Sequence, residues 1–358
     1  MREITVSIII PFFNSKKFLP NFLKDLSNIK FKKKFEIIFI DDGSKDDGCK
    51  IIMNYKKINK RLYSSSKNLG PSAARNIGLK HSKGRYILFL DVDDRIDKNI
   101  IKELYDKSER ETADIIFCDR KWIENKKNLR KCKFAFKKNM YFGNKEIKRA
   151  MSKRFYDPLS AVGLFQLTGR LIKRKIIVKN KLKFEKRLRY LEDEAFEWDL
   201  LGYAKKIIYI RKQLYNYHLH NNIGTALAQG ILLNFPIFNY DIVKTHIKNS
   251  LKQKRFSNEN IRNISNQGYI FLIVSSLISL TRSILLGKIN KKIGIKRLEN
   301  LINRILSSKK IMTTIKKYKI SKKESSKIIN SIIQKNHFNL KNACLERAKE
   351  IINLRRKN

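Results

Sequence analysis

Short apolar runs alternate with amphipathic stretches along the first 94 residues of the chain. Four runs have the length and bounding turn residues of strands, and the segments between them place apolar residues at helical spacing. Strands that are largely apolar and alternate with helices are typical of a parallel sheet covered on both faces. The sequence therefore predicts an α/β fold with strands over 5–12, 35–44, 61–66 and 85–94, and helices over 16–29, 46–58 and 70–82.

The pattern changes twice further along the chain. Residues 95–225 are mixed: they predict a strand over 114–123, a strand running into a helix over 165–177, an acidic helix over 189–204, and a strand pair or a strand and loop over 205–222. From about residue 226, glycine and proline become rare, and lysine-rich amphipathic patterns predict a helical extension. This last part carries 28 basic and six acidic residues.

The longest apolar stretch of the chain covers residues 268–287. It is nearly long enough to span a bilayer, which takes about 20 apolar residues. Because it contains Arg282 and several serines, we expect a buried helix of a helical domain. A helix on a membrane surface and a true membrane span are the alternatives.

The charge of the chain is extreme, with a formal net charge of +48 over 358 residues. Such an excess predicts a polyanionic partner: nucleic acid, an anionic membrane surface, or an acidic glycan or lipid. The abundance of lysine, isoleucine and asparagine is also what AT-rich coding would produce. Charge alone therefore does not select the partner.

The four cysteines, at 49, 118, 132 and 344, form no Cys-x-x-Cys pair. Their spacing indicates neither a zinc site nor a disulfide framework, and a reduced, cytoplasmic setting is expected. The apolar run near the N-terminus is too short for a signal peptide and is followed at once by Pro11.

Acidic residues follow two of the predicted strands. Asp41 and Asp42 come after the second strand, and Asp91, Asp93 and Asp94 come after the fourth. Ligands of open α/β sheets bind beyond the carboxyl ends of the strands. Clustered carboxylates repel one another, and a divalent cation with oxygen ligands would relieve the repulsion. The alternative is an acidic turn in which Asp94 or Asp97 caps the next helix.

Five motifs in this order resemble a known family: "VSIIIPFFN", "IIFIDDGSKD", "NLGPSAARNIGL", "GRYILFLDVDD" and "LEDEAF". Together they are similar to the family 2 glycosyltransferases, which are inverting enzymes with the nucleotide-sugar-binding GT-A fold, a Rossmann-like mixed sheet flanked by helices. The resemblance covers about residues 4–225. It implies a catalytic domain over 1–225, with a nucleotide-binding half (1–118) and an acceptor half (119–225), before a basic helical region (226–358).

The resemblance implies that the loop after the first strand cradles the nucleotide base. Pro11, Phe13 and Asn14 form this loop, and Phe13 stands where relatives often carry tyrosine. Asp42 resembles the aspartate that accepts a hydrogen bond from the base, and Asp41 could share this role. The alternatives are a core phenylalanine at 13 and turn acids before a glycine at 41–42.

Arg75 resembles the family's arginine near the base and the diphosphate. It could also pair with an acid at the sheet end, and the two roles are compatible. Asp91 and Asp93 match the family's Asp-x-Asp pair. This match implies that Asp91 lies near the ribose or the metal, and that Asp93 meets a Mn²⁺ or Mg²⁺ ion bound to the diphosphate.

Glu192 and Asp193 resemble the family's Glu-Asp pair ahead of a helix. The resemblance makes Asp193 the base that takes the proton of the acceptor hydroxyl. An acidic helix start that favours the helix dipole is the alternative. His218 and His220 lie where relatives often place a basic or metal-binding residue, and His220 is the weaker metal candidate beside the aspartates. Ordinary loop histidines are the alternative.

The function implied is the transfer of a sugar, with inversion, from a nucleotide sugar. The expected donor is a UDP-sugar, and the acceptor is a hydroxyl of a growing surface glycan or glycolipid, such as lipooligosaccharide or capsule. The basic region 226–358 would hold a cytoplasmic, peripheral enzyme at the anionic inner face of the membrane, or would form a homo-oligomer. The alternative is a basic nucleic-acid- or membrane-binding protein on an inactive fold. Because the acids at the strand ends argue against it, we expect no nucleic acid.

Overall fold

The structure is a computed structural model of the chain, and it describes residues 3–124, 128–129, 136–155, 164–219, 238–287, 289–316 and 323–357. The chain divides into two compact units. The first comprises residues 1–151 and 159–219, and the second comprises residues 152–158 and 220–358.

All described strands belong to the first unit, and they are distributed along its whole length. They are β1 (Val6–Phe12), β2 (Phe35–Asp41), β3 (Lys60–Ser64), β4 (Tyr86–Phe89), β5 (Arg95–Ile96), β6 (Ile115–Glu124), β7 (Asn128–Leu129), β8 (Met140–Phe142), β9 (Arg170–Lys173) and β10 (Ile207–Leu219). The described helices up to residue 203 are α1 (Leu19–Ser27), α2 (Gly48–Asn54), α3 (Pro71–His81), α4 (Ile100–Glu111), α5 (Asn144–Lys153), α6 (Arg174–Lys179) and α7 (Glu192–Tyr203).

The ten described strands form one mixed sheet in the order β3-β2-β1-β4-β9-β6-β10-β5, with β7 beside β6 and β8 beside β10. Strands β3, β2, β1 and β4 are parallel, while β9 runs antiparallel to both of its neighbours. The central strands β1 and β4 are buried, apart from the partly exposed Pro11, because their apolar runs are covered on both faces. The prediction of a mixed α/β sheet flanked by helices is confirmed. Strand β6 runs through position 118, so the sheet continues across the predicted boundary between the two halves.

Strand β4 ends at Phe89, five residues before the end of the predicted strand 85–94. Pairing between β1 and β4 stops at Ile9 and Phe89, followed by one more bond from Leu90 N to Ile9 O at 3.1 Å. Two positions on, Pro11 has no N–H to offer a neighbouring strand. The acidic segment 91–94 therefore leaves the sheet as a turn, and it returns as the short strand β5 against β10.

The helix-cap interpretation of the acidic turn is wrong. Helix α4 begins at Ile100 and has Asn99 at its N-cap position. Asp97 instead accepts a hydrogen bond from the Asn99 backbone N–H at 2.7 Å, and Asp94 is buried well before the helix. For residues 205–222 the sequence predicts either a strand pair or a strand followed by a loop. The described part is one long strand, β10, whose register shifts between Ile210 and Tyr215.

Helix α3 lies close against the sheet because its inner face is made of small residues. A Cβ atom at Gly78 would come within 2.3 Å of Ile9 Cγ2 and 3.0 Å of Ile40 Cδ1. We expect Gly78→Ala to lower the free energy of unfolding by about 1–3 kcal/mol through overpacking, despite the better helix propensity of alanine. Urea unfolding measures the loss, with exposed Lys80→Ala on the same helix as the control. An unchanged midpoint for Gly78→Ala would contradict the close approach.

The second unit is helical in its described part, which confirms the predicted helical extension. Its helices are α8 (Phe238–Gln253), α9 (Asn258–Leu285), α10 (Lys291–Ser307), α11 (Lys309–Ile315), α12 (Lys323–Ile333) and α13 (His337–Lys357). The apolar stretch forms most of α9, which packs against α8, α10 and α13. By length and composition α9 could cross a membrane, but 61% of its most apolar window is buried inside the protein. This burial agrees with the expected buried helix.

Candidate functional site

The loops after β1 and β2 are joined by hydrogen bonds at the carboxyl edge of the sheet. The backbone N–H of Asn14 donates to Ser44 Oγ at 2.9 Å, and Asn14 Oδ1 accepts from the Lys45 N–H at 2.8 Å. Asn14 has φ 47°, a left-handed conformation that asparagine tolerates better than most residues. Pro11 pairs with Ile40 on β2 just before this loop.

Phe13 lies at the open side of this loop, and its side chain is 43% exposed. The alternative of a core phenylalanine is therefore wrong. An exposed aromatic ring at the end of a central strand offers a stacking face, which is what the base-cradling role of the loop requires.

Asp42 organises the chain that enters helix α3. Its two carboxylate oxygens accept hydrogen bonds from the backbone N–H groups of Leu69 and Gly70, each at 2.8 Å. Gly43, with φ 77°, allows the close approach, since a Cβ atom there would lie 2.5 Å from the Lys67 carbonyl carbon. Burial raises the pKa of Asp42, and the two backbone hydrogen bonds oppose the rise. A nucleotide base that bonds to Asp42 would have to share a carboxylate oxygen that already accepts a hydrogen bond from Leu69 or Gly70.

Asp41 is also engaged within its own turn. Its Oδ1 accepts from the Ser44 backbone N–H at 2.9 Å, and its Oδ2 accepts from Cys49 Sγ at 3.1 Å. Burial, followed by the bond to Asp41, raises the pKa of the Cys49 thiol to about 11. The alternative interpretation of Asp41 and Asp42 as turn acids therefore holds: both accept hydrogen bonds from backbone N–H groups of nearby loops.

Arg75 joins two of the predicted acidic groups. From helix α3 its Nη1 donates to Glu192 Oε1 at 2.9 Å, and its Nη2 lies 3.4 Å from Asp91 Oδ1. The guanidinium is 8% exposed and lies 5.5 Å from the centre of the Phe184 ring. The predicted pairing of Arg75 with a sheet-end acid is therefore present. Because the cation is buried, losing one of its carboxylate partners would be costly.

The acidic start of helix α7 brings Glu192 and Asp193 to this arginine. Leu191 ahead of them has φ 64°, a strained conformation of the kind that clusters at functional sites. Burial, followed by the charge of Asp193, raises the pKa of Glu192 to about 7, although Arg75 opposes the rise. Glu192 therefore gains and loses its proton near neutral pH.

Asp193 remains accessible to solvent beside this buried pair. Crowding by protein atoms raises the pKa of its carboxyl, Arg75 lowers it, and Glu194 raises it again. Asp193 Oδ1 also accepts a hydrogen bond from the Glu194 backbone N–H at 2.8 Å. An accessible carboxylate with a raised pKa suits a group that receives a proton from an incoming hydroxyl.

The third acid of the turn after β4 has a positioning role. Asp94 is 2% exposed; its Oδ2 accepts from the Tyr215 hydroxyl at 2.5 Å, and its Oδ1 accepts from the His218 backbone N–H at 2.9 Å. Burial, followed by the charges of Asp93 and Asp91, raises the pKa of Asp94 well above its usual value. The end of β10 is thereby fixed against the turn. His220, the weaker metal candidate, lies outside the described residues.

Asp91 and Asp93 flank Val92 in this turn, and both are partly exposed. Within the described ranges, no group of three or more His, Cys, Asp or Glu side chains is arranged to hold a metal ion. Magnesium and manganese sites of nucleotide enzymes often use only one or two carboxylates and take their remaining ligands from substrate phosphates and water. The Asp91–Asp93 pair fits an ion of that kind.

Sequence reasoning missed three residues that shape the site. Tyr215 holds Asp94, Phe184 supports Arg75, and Arg189 lowers the pKa of Asp42 through its charge. The alternation in "YNYHLH" predicts a strand but not which tyrosine faces the acids. Only the fold brings these positions together.

Comparisons with known proteins identify the fold of the chain. The crystal structure of Staphylococcus aureus TarS 1–349 in complex with UDP aligns with a TM-score of 0.66 and 20% identity, over 97% of this chain and 92% of that chain. The same TarS fragment in complex with UDP-GlcNAc aligns with a TM-score of 0.65. The sheet with its flanking helices is thus the GT-A fold.

Residues 7–175 match the sequence model of glycosyl transferase family 2. This segment is similar to the family, as the motifs within it predict. The cholesterol galactosyltransferase of Borreliella burgdorferi is 32% identical over 237 residues, 64% of each chain. The poly(ribitol-phosphate) beta-N-acetylglucosaminyltransferase TarP of S. aureus is 31% identical over 218 residues, 60% of this chain and 62% of TarP. This chain spans less than two thirds of the length of either relative.

Proposed function

We propose that the protein transfers a sugar, with inversion, from a UDP-sugar to a hydroxyl of a bacterial surface glycan. The observation that carries the proposal is the bridge made by Arg75, which contacts Asp91 on the strand-end side and Glu192 next to Asp193. One cation thus links the donor-side acid Asp91 to Glu192, which precedes the proposed base Asp193. The TarS complexes with UDP and UDP-GlcNAc, and relatives named for galactosyl and N-acetylglucosaminyl transfer, support this choice of donor.

In the proposed reaction, Asp193 accepts the proton of the acceptor hydroxyl. The hydroxyl oxygen forms a bond to the anomeric carbon as the bond from that carbon to the diphosphate oxygen breaks, and UDP leaves with the bonding electron pair. An attack opposite to the leaving group inverts the configuration. The raised pKa of Asp193 makes it a stronger base than an ordinary aspartate, while Glu192 and Arg75 hold the start of its helix.

The donor is proposed to lie along the carboxyl edge of the first four strands. Phe13 would stack on the base, and the loops held by Asn14, Asp41 and Asp42 would surround it. Asp91 and Asp93 would hold a Mn²⁺ or Mg²⁺ ion, with Asp91 also near the ribose. When bound, the ion would neutralise charge that develops on the departing diphosphate.

The second unit is proposed to place the enzyme at its acceptor. Its excess of basic residues suits attraction to an anionic membrane surface, where lipid-linked acceptors such as precursors of lipooligosaccharide or capsule are found. A cytoplasmic, peripheral enzyme follows from this proposal. Alternatively, these helices would join two copies of the chain in a homo-oligomer.

The metal role is tested by Asp93→Ala. We expect UDP binding in the presence of Mn²⁺ to weaken by about tenfold or more, because a carboxylate ligand of the ion is lost, and binding in EDTA to stay the same. Isothermal titration calorimetry measures both affinities. Asp106→Ala, at a partly exposed site on α4, is the control and should bind like the wild type. Equal Mn²⁺-dependent affinity in Asp93→Ala and the wild type would refute the metal site.

A further inference from the structure

A groove of about 540 Å³ lies between helices α3 and α6, and we call it the α3–α6 groove. Seven of its fourteen lining residues are apolar, including Ile77 and Ile177. Val178, 54% exposed, also lines it. The volume is within the range of small-molecule sites, about 300–1,000 Å³. The groove therefore offers an apolar surface that water covers in the free protein.

The charged residues of the groove are all basic. Five lining residues are Lys or Arg, and none is Asp or Glu. Lys183 and Lys186 are exposed at its rim. Among the described residues, no carboxylate forms an ion pair with any of the five cations. Arg174 Nε is buried without a hydrogen-bond partner, so this cation retains an unused donor. An anionic group would complement this rim.

The groove is preformed by hydrogen bonds that tie its two sides together. Asn76 on α3 donates from Nδ2 to the Phe184 carbonyl and accepts at Oδ1 from the Phe184 N–H, each at 2.8 Å. These bonds fix segment 181–186 beside the helix. A site that is already shaped avoids the cost of ordering its walls on binding.

We propose that the α3–α6 groove binds an anionic phospholipid-type amphiphile. Its hydrocarbon chain would cover the apolar floor, and its phosphate would meet the basic rim. A small soluble anion would leave the exposed Val178 and the partly exposed Ile77 uncovered, and an uncharged amphiphile would leave the five cations uncompensated. None of the proposed donor-site residues lines the groove, although Leu69 of the groove donates its backbone N–H to Asp42. The proposal does not depend on the transfer reaction.

The test uses short-chain phosphatidylglycerol below its critical micelle concentration, titrated into the full chain by calorimetry. Phosphatidylcholine with the same chains keeps the tails but has no net charge, and glycerol phosphate keeps the anion but has no tails. We expect phosphatidylglycerol to bind about tenfold or more tightly than either, because each lacks one of the two interactions. Equal binding of glycerol phosphate would mean a simple phosphate site, and equal binding of phosphatidylcholine would mean an uncharged site. Either result would overturn the proposal.

Two groove variants locate the binding. Lys183→Glu with Lys186→Glu reverses two rim charges, and Val178→Asp places a charge on the apolar floor at an exposed position that folding tolerates. Each should weaken phosphatidylglycerol binding by about tenfold or more.

Lys56→Glu with Lys57→Glu makes the same net-charge change at exposed lysines outside the groove and should bind like the wild type. Equal weakening in this control would assign the effect to overall charge and overturn the proposal. Thermal stabilisation by UDP should be the same in all variants, which checks folding and keeps the groove distinct from the donor site.

Discussion

Replacing Asp193 by asparagine is expected to reduce sugar transfer by about 10²–10⁴-fold, the usual contribution of a general base. The amide cannot accept the hydroxyl proton, but it keeps the size of the side chain. Donor binding should be unchanged, because the proposed UDP contacts lie at the strand ends and not on Asp193. A coupled assay of UDP release with acceptor present measures transfer, and calorimetry with UDP and Mn²⁺ measures donor affinity.

Asp106→Asn makes the same chemical change on α4 and should transfer at the wild-type rate. Wild-type transfer by Asp193→Asn would place the base elsewhere. A parallel loss of UDP affinity would mean that Asp193 serves the donor rather than the acceptor. The transfer rate and the UDP affinity, measured together, therefore distinguish a catalytic base from a residue that only maintains the structure of the site.

Arg75→Met is expected to lower the free energy of unfolding by about 3–5 kcal/mol above pH 7, the cost of leaving the buried Glu192 carboxylate without its cation. The loss should be smaller at pH 5. The pKa of Glu192 is already raised to about 7 in the folded protein, so its stabilising protonated form is present at low pH and is lost as pH rises through 7. Removing Arg75 removes a charge that lowers this pKa, and this increases the penalty at high pH.

Urea unfolding at pH 5 and pH 8 measures both losses. The double variant Arg75→Met with Glu192→Gln should recover part of the stability at pH 8, because the uncompensated charge is gone. Arg187→Met removes an exposed arginine that pairs with Glu185, and it should change little. A pH-independent loss, or no recovery in the double variant, would show that Arg75 acts through packing alone.

The sequence predicts the strands well because the parallel half of the sheet is buried on both faces. Strands β1 and β2 are largely apolar runs, which are typical of a parallel sheet that helices cover on both faces. The strand ends were harder to predict. The apolar run into Asp91 continues beyond β4, and only the register with β1, including the missing N–H of Pro11, decides where pairing stops.

The motifs predicted the candidate residues of the site, but not what each carboxylate contacts. Asp42 and Asp94 are both strand-end acids in the sequence. In the fold Asp42 binds the backbone N–H groups before α3, and Asp94 binds Tyr215, 121 residues away. Such contacts join segments far apart in the chain, and hydrophobic periodicity carries no information about them. The pairing of Arg75 could be proposed in advance because a buried cation needs a carboxylate.

The bond between Asp94 and Tyr215 has a consequence for recombination between relatives. Asp94 belongs to the segment that carries the Asp-x-Asp pair, whereas Tyr215 belongs to the last strand of the same sheet. A chimera that took one of these segments from a relative without the matching residue would bury a carboxylate without its phenol, or a phenol without its acceptor. From such a relative the two segments must be exchanged together, although most of the first unit's sequence lies between them.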